Sequence, residues 1–339
     1  MKRSRSLLVV LVLLGWIAAG CTRLPVELAP TLAPIASPLP GASATPSLTF
    51  TPAASLAPTL TKTPSPSPVP CDPAADFCIV TSHFLLARPI APLWMDEFDP
   101  SYLYGTTQNG AREPHHGLEF ENASGTPVLA AADGVVAVAG KDDQVVYGPT
   151  ANFYGNLVVL EHHFPGIIQT VYTLYGHLSR IDVQVGQLVR TGDRIGAVGS
   201  SGEAIGSHLH FEVRLGNNDY DSNRNPLLWL KPLKAQDGSR LGVLAGRLQD
   251  AQGNPIHTRG LNIQYYPDPA GSVEGTYPTE TYAPEKHPVR GDDVWMENFA
   301  LGDLPAGAYR LSIVWAGKVI ERTVQVQPAA LTLVTITLK

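Results

Sequence analysis

The stretch HLHFEVRLG, residues 208–216, alternates polar and apolar side chains as a half-buried β-strand does. Successive strand side chains point to opposite faces, so His208 and His210 share one face while Leu209 and Phe211 share the other. Two imidazoles at this spacing suit zinc, which accepts nitrogen and carboxylate oxygen in a tetrahedral shell. The stretch therefore predicts a strand with one apolar face and one face available for chemistry.

Similar β-branched runs, punctuated by glycine, precede this stretch. They include VLAAADGVVAVAG at 128–140, NLVVLEHHF at 156–164 and QTVYTLYGHL at 169–178. Short strands with glycine turns are typical of β-sheet domains, and no long amphipathic helical pattern follows the N-terminal segment. We therefore predict an all-β fold, with an antiparallel β-sheet domain over residues 112–234.

The stretch HHGLEF, residues 115–120, offers a second pair of possible metal ligands. On an extended chain His115, Gly117 and Glu119 point to one face, and the glycine is expected to leave open space for an ion between the other two. LYGHLS adds His177 on a further segment. These residues permit a metal site, although histidines that only make local hydrogen bonds fit the same pattern.

The order of these motifs resembles that of the M23, or LytM-like, zinc metallopeptidases. The resemblance is carried by HHGLEF, GTPVLAAADGVV, LYGHLS, GSHLHFEVR and the closing RNPLLWLKP. It implies that His115, Glu119 and His210 hold one zinc ion per chain, and that His177 and His208 serve catalysis. Glu119 stands where the family has aspartate, so its extra methylene requires the strand or the rotamer to adjust.

The resemblance covers roughly residues 112–232 and implies a zinc-dependent endopeptidase. Its substrates would be peptide bonds in peptidoglycan stems or cross-bridges at the cell envelope. In such a site His208 would move the proton of the attacking water to the leaving amine, and His177 would donate to the oxyanion or orient the water. The alternative is a non-catalytic lipoprotein that binds peptidoglycan or activates another hydrolase, and metal occupancy distinguishes the two.

The N-terminal segment differs in composition from the rest of the chain. Residues 1–20 join a basic start to an apolar run too short for a comfortable membrane span, which is typical of a signal peptide. The run ends in AAGC and resembles a bacterial lipobox, which implies a lipid on Cys21 and attachment at the extracytoplasmic face of the membrane. Ordinary secretion with a free cysteine is the alternative. Residues 21–70, rich in Pro, Thr and Ser, are expected to form a disordered tether.

The remaining cysteines, Cys71 and Cys78, lie close together in CDPAADFC. Disulfides persist in exported proteins, so we expect this pair to be bonded, with two unpaired thiols as the alternative. We assign residues 71–111 to a disulfide-containing N-terminal extension of the peptidase domain.

The C-terminal part of the chain, residues 240–339, is predicted to form a small β-sandwich. GVLAGRLQDAQGNPI, LPAGAYRL and LTLVTITLK read as strands joined by turns, about seven in all. The opening and LPAGAYRL resemble the carboxypeptidase-regulatory or transthyretin-like sandwich, which implies no catalytic residues and leaves its partner unknown. The net charge of −6 gives no electrostatic footprint for nucleic acid, and we exclude that class of partner.

Overall fold

The structure is a computed structural model that describes residues 71–81, 83–268, 270–283 and 289–339. The predicted signal peptide, Cys21 and the tether lie outside these residues. The described chain is all-β, as predicted, and its helical residues fall in two single-turn 3-10 helices, Tyr220–Ser222 and Pro226–Leu228. Within the same residues, no helix has the length and apolar character needed to cross a membrane.

The strands are numbered in chain order. They are β1 (Phe77–Thr81), β2 (Leu118–Glu121), β3 (Pro127–Leu129), β4 (Gly134–Lys141), β5 (Asn156–His162), β6 (Val171–Gly176), β7 (Arg180–Ile181), β8 (Leu188–Val189), β9 (Arg194–Ala197), β10 (His208–Leu215), β11 (Asn223–Arg224), β12 (Gly242–Gln249), β13 (Leu261–Tyr266), β14 (Gly275–Thr279), β15 (Phe299–Leu304), β16 (Gly307–Trp315), β17 (Lys318–Val326) and β18 (Ala330–Thr337).

Residues 83–234, here called the peptidase region after the family that their motifs resemble, contain two antiparallel sheets. The larger has the strand order β11-β10-β6-β5-β4-β8, and β2 pairs with β10. The smaller has the order β3-β9-β7. Every residue of β10 is buried, because the strand is paired along its length and covered on both faces. This central position makes β10 the rigid element on which the candidate site is built.

The C-terminal region is a sandwich of two four-stranded sheets, with orders β1-β18-β12-β15 and β14-β13-β16-β17. Pairing is antiparallel except between β12 and β18, which run parallel. The first strand of this sandwich comes from the segment that sequence analysis assigned to the peptidase domain. β1 pairs with β18 from Phe77 opposite Val334 to Thr81 opposite Ala330. The sequence alone gave no indication of this pairing, because the partners lie at opposite ends of the folded chain.

The expected disulfide between Cys71 and Cys78 is present, with their Cα atoms 5.7 Å apart. Cys78 lies within β1 and is buried, whereas Cys71 is exposed. The bond therefore fixes the start of the described chain against the sandwich sheet.

The peptidase and sandwich regions share one hydrophobic core. Phe98 and Leu227 of the first region pack in the same buried cluster as Leu301 and Leu304 of the second. A Cβ on Gly302 would lie 2.7 Å from Leu227 Cδ2 and 3.2 Å from Phe98 Cζ, so a side chain there would separate the two regions. Glycine thus permits the close approach at this point of the interface.

Two ion pairs between arginine and aspartate also cross this interface. Arg88 Nη2 donates to both oxygens of Asp303, at 2.6 and 2.8 Å, and the Leu233 backbone N–H donates to the same carboxylate at 2.8 Å. Arg224 Nη2 donates to Asp293 at 2.6 Å. Hydrogen bonds between charged groups are strong and directional, so the two regions are held in a defined relation.

Candidate metal centre

The register of β10 with its neighbours brings the candidate residues together. His210 lies opposite Glu119 on β2 and opposite Gly176 on β6, immediately before His177. The strand prediction from HLHFEVRLG is therefore correct, and pairing on both sides adds one carboxylate and one further histidine to the histidines of β10. His115 reaches the cluster from irregular backbone, three residues before β2 begins, and His177 follows directly after the end of β6.

His115, Glu119 and His210 form a group whose ligand atoms all lie within 4.8 Å of one another. His115 Nε2 is 3.3 Å from His210 Nδ1 and 3.7 Å from Glu119 Oε1. Ligand atoms of a tetrahedral zinc with bonds near 2.05 Å are separated by about 3.3 Å. The two distances from His115 are therefore close to zinc dimensions, and the Glu119 carboxylate lies within 4.8 Å of both histidine nitrogens.

The outer nitrogens of both imidazoles have fixed partners. His115 Nδ1 lies 2.7 Å from the Tyr102 carbonyl, and His210 Nε2 lies 3.1 Å from Glu212 Oε1. A carbonyl and a carboxylate can only accept, so these nitrogens carry the protons and His115 Nε2 and His210 Nδ1 present lone pairs. Two lone pairs that face each other at 3.3 Å repel, and a cation between them would be stabilised by both. The donor set thus fits a metal ion.

A buried chain of polar groups on β10 supports His210. The fully buried Glu212 accepts from Arg214 Nε at 2.8 Å and from the Tyr154 hydroxyl, and Arg214 Nη2 also donates to the Tyr147 carbonyl at 3.0 Å. Burial by itself raises the pKa of Glu212, but Arg214 and His210 outweigh it and hold this pKa well below its usual range. The ionised carboxylate fixes the orientation and tautomer of His210.

Gly117 acts differently from the sequence expectation. A Cβ at this position would lie 2.5 Å from the Phe211 carbonyl and 2.8 Å from His210 Nε2. The space beside the glycine is therefore filled by the neighbouring strand and its imidazole, and it is not an open path for an ion. Glycine is required here because it lets His210 approach His115.

His208 and His177 lie beside the cluster, as the sequence motifs predicted. His208 Nε2 is 3.7 Å from Glu119 Oε1, is buried, and has no hydrogen-bond partner among the described residues. His177 Nδ1 donates to the Ser201 carbonyl at 2.8 Å, and its ring centroid lies 4.8 Å from that of His208. His177 has a φ of 60°, a left-handed conformation that turns its side chain into the site from the end of β6.

Burial keeps these histidines neutral. It lowers the pKa of His115 well below the usual range, and His210 adds to the effect. Burial, together with His210 and His208, lowers the pKa of His177 to about 3. Burial also lowers the pKa of His208, opposed by the charge of Glu119. Neutral imidazoles are the form that binds metals and accepts protons.

His116, next to His115 in the chain, faces away from the cluster. Its ring stacks on Tyr220 with centroids 3.8 Å apart, and its Nδ1 accepts from Asn223 Nδ2 at 2.7 Å. Sequence reasoning missed Glu212, Arg214 and Tyr102. The first two could have been found, because the alternation that pairs His208 with His210 continues to residues 212 and 214.

The antiparallel sheet thus carries a His-Glu-His cluster of residue types that can hold a metal ion. The family model for peptidase family M23 matches residues 113–222, which include the whole cluster. Residues 113–222 are therefore an M23 peptidase domain, as the motif order predicted.

Several known proteins are similar to part of this chain. Peptidoglycan DD-endopeptidase ShyA of Vibrio cholerae is 37% identical over 127 residues, which are 37% of this chain and 26% of that protein. DD-carboxypeptidase/endopeptidase Mpg of Neisseria meningitidis is 32% identical over 149 residues, 44% of this chain and 30% of that protein. The catalytic domain of lysostaphin from Staphylococcus simulans is 30% identical, with a TM-score of 0.31, and the match covers 37% of this chain and 86% of that structure. The chain thus spans less than a third of the length of the curated relatives described here.

Proposed function

We propose that this protein is a zinc-dependent endopeptidase that hydrolyses peptide bonds in peptidoglycan stems or cross-bridges at the cell envelope. The observation that carries the proposal is the approach of two histidine lone pairs and one carboxylate to within 4.8 Å of one another. The relatives named as peptidoglycan endopeptidases support the substrate class.

His115 Nε2, Glu119 and His210 Nδ1 would hold one zinc ion per chain. When bound, zinc supplies a Lewis acid for the scissile carbonyl and lowers the pKa of water toward neutrality. The Tyr102 carbonyl and Glu212 keep the two imidazoles in the required tautomers. Glu119 adds a negative charge that offsets the charge of the ion.

His208 is the proposed proton carrier. Among the described residues, its Nε2 has no hydrogen-bond partner. This nitrogen lies 3.7 Å from Glu119 Oε1, at the edge of the cluster. From this position it would accept the proton of the attacking water and deliver it to the amine nitrogen that leaves. The nearby carboxylate stabilises the imidazolium while the proton is held.

His177 is proposed to orient the attacking water. Its Nδ1 proton is engaged by the Ser201 carbonyl, so the opposite nitrogen of the neutral ring is an acceptor. An acceptor at this position can align a water molecule through one of its O–H bonds. Of the two roles the motifs left open, this hydrogen bond favours water orientation over donation to an oxyanion.

The proposal includes the location of the protein. Residues 1–20 would direct export, Cys21 would carry the lipid anchor at the extracytoplasmic face of the membrane, and residues 21–70 would tether residues 112–234 within reach of the wall. The bond between the two later cysteines suits such a compartment. The likeness of residues 240–339 to a transthyretin-like sandwich remains part of the same proposal.

The test is the zinc content of the purified protein after dialysis, measured beside His210→Ala and the control His163→Ala. His163 is exposed and bonds Glu161 on the same strand end, away from the cluster, so its loss leaves the cluster intact. We expect one zinc per chain in the wild type and the control, none in His210→Ala, and release of peptides from peptidoglycan only by the zinc-loaded proteins. Wild-type protein without zinc would instead favour the non-catalytic alternative.

A further inference from the structure

Residues 102–107, here called the strap, lie between the loop that carries His115 and the C-terminal sandwich. His115 is the one candidate ligand outside regular strand structure, so its position depends on what packs against it. Among the described residues, its closest polar contacts outside the cluster come from the strap.

The strap holds both the side chain and the backbone of His115. The Tyr102 ring stacks on the imidazole with centroids 4.1 Å apart and planes 3° from parallel, and the Tyr102 carbonyl accepts from Nδ1. The Gly105 N–H donates to the His115 carbonyl at 2.7 Å, and the His115 N–H donates to the Thr106 carbonyl at 3.1 Å. These four contacts therefore fix both the position and the rotation of the His115 imidazole.

The opposite side of the strap is bound by the sandwich. The Ala283 N–H donates to the Gly105 carbonyl at 2.9 Å. Gly105 has a φ of 78°, and a Cβ there would lie 2.2 Å from Tyr282 Cδ1, so the sandwich packs directly against the strap backbone. The Thr107 N–H and hydroxyl donate to the two oxygens of Glu280, at 2.8 and 2.7 Å.

Glu280 is held rigidly from its own side. Arg259 Nε lies 3.0 Å and His257 Nε2 3.1 Å from its Oε1, and only 8% of the residue is exposed. Burial raises the pKa of Glu280, but the bonds from Thr107, His257 and Arg259 outweigh it and lower this pKa to about 2. The ionised carboxylate therefore clamps the end of the strap at neutral pH.

We propose that the C-terminal sandwich is a positioning element of the metal centre, and that Glu280 is the residue through which it acts on His115. The inference rests on the proposed function, because it takes His115 to be a zinc ligand. Glu280 does not touch the cluster. It holds Thr107, and the strap in turn holds His115. If the strap loosens, the His115 imidazole can leave the orientation in which its lone pair faces that of His210.

The test compares two amide variants in the full-length chain, Glu280→Gln and Asp303→Asn. Each native carboxylate lies at the contact between the peptidase and sandwich regions. Each accepts hydrogen bonds from one backbone N–H and from one arginine side chain. Only Glu280 contacts the strap, because Asp303 bonds Arg88 and Leu233. The zinc dissociation constant is measured by competition with a fluorescent chelator, and thermal unfolding is measured in the metal-free state.

We expect Glu280→Gln to bind zinc about tenfold more weakly, the lower end of the effect of losing an outer partner of a metal ligand. Both variants should lower the unfolding temperature of the metal-free protein to a similar degree. Asp303→Asn should keep the wild-type zinc affinity. Unchanged affinity in Glu280→Gln, or equal weakening in both variants, would overturn the inference.

Failure of the proposed function has a different signature. If His115→Ala binds zinc as tightly as the wild type, or the wild type binds none, His115 is no ligand and the proposed centre itself is wrong. If His115→Ala loses zinc while Glu280→Gln keeps it, the centre stands and only the role of the sandwich is rejected.

Discussion

The two histidine arms of the candidate centre are supported in different ways. His210 lies within β10, and its outer partner Glu212 and the Arg214 that holds Glu212 follow at alternate positions of the same strand. His115 lies in irregular backbone and is held by the strap. The strap is held in turn by residues far along the chain, since Glu280 is 173 positions from Thr107. One arm is therefore specified locally by strand alternation, and the other depends on the assembly of the whole fold.

The largest expected effect comes from removing the locally specified arm. His210→Ala should weaken zinc binding by at least about a thousandfold, because one of three protein ligands is lost from a site whose binding energy is shared among them. Zinc titration with a competing chelator measures this loss, with His163→Ala as the exposed control. A variant that still binds zinc tightly would mean that His208 or His177 can replace the ligand.

A smaller loss is expected when His210 remains and its support is changed. Glu212→Gln should weaken zinc affinity about ten- to a hundredfold, because an amide cannot accept from both His210 and Arg214 as the carboxylate does. The cobalt-substituted protein should show an altered visible absorption spectrum, which reports ligand geometry independently of activity. Glu161→Gln, at a surface position, is the control. An unchanged spectrum and affinity would remove Glu212 from the set of positioning residues.

The sandwich residues near the strap include Glu297, a carboxyl group whose pKa is raised, whereas the pKa of Glu212 on β10 is lowered. Glu297 is fully buried, accepts from the Tyr282 hydroxyl at 2.9 Å and from the Asp292 N–H at 2.7 Å, and burial raises its pKa from 4.5 to about 8. Between these two values the folded state binds the proton that the unfolded state has lost, so stability falls as pH rises through this window. Below pH 4.5 the protonated group contributes fully.

The expected loss between pH 6 and pH 7.5 is about 2 kcal/mol in the free energy of unfolding. Glu297→Gln imitates the protonated acid and should remove most of this slope, which denaturant unfolding at the two pH values measures. Glu203→Gln, at an exposed position, is the control. Identical slopes in the wild type and Glu297→Gln would show that Glu297 is ionised in the fold.

The smallest effect is expected where the strap keeps its function and loses one bond. Tyr102→Phe removes the hydroxyl that donates to the Glu113 carbonyl at 2.6 Å but retains the stacked ring and the carbonyl that accepts from His115. Stability should fall by about 1 kcal/mol, and zinc affinity should not change. A marked fall in zinc affinity would show that the hydroxyl, and not only the ring and carbonyl, positions the ligand.

The same contrast explains what the sequence could predict. The strand character of β10, the common face of His208 and His210, and the nearness of Glu119 follow from alternation and motif order. Glu212 was within reach of the same rule and was overlooked. Gly117 was correctly singled out but for the wrong reason, because no sequence pattern shows that His210 fills the space beside it.

The support of His115 could not be predicted in this way. Tyr102, Thr107 and Glu280 carry no periodic pattern, and their contacts form only when two regions of the chain meet. The pairing of β1 with β18 is of the same kind, since a five-residue strand gives no signal of its partner. Local sequence patterns therefore predict a single strand and its neighbours. They do not predict contacts between regions that are far apart in the chain.

The pairing of β1 with β18 also has a mechanical consequence. Tension applied to the chain upstream of Cys71 reaches the disulfide and β1 before it reaches any residue of the peptidase region. That load falls on the hydrogen bonds between β1 and β18 and passes into the body of the sandwich. The candidate metal centre therefore lies outside the first load-bearing path, and the sandwich would take up a pull on the N-terminal segment before it could distort the cluster.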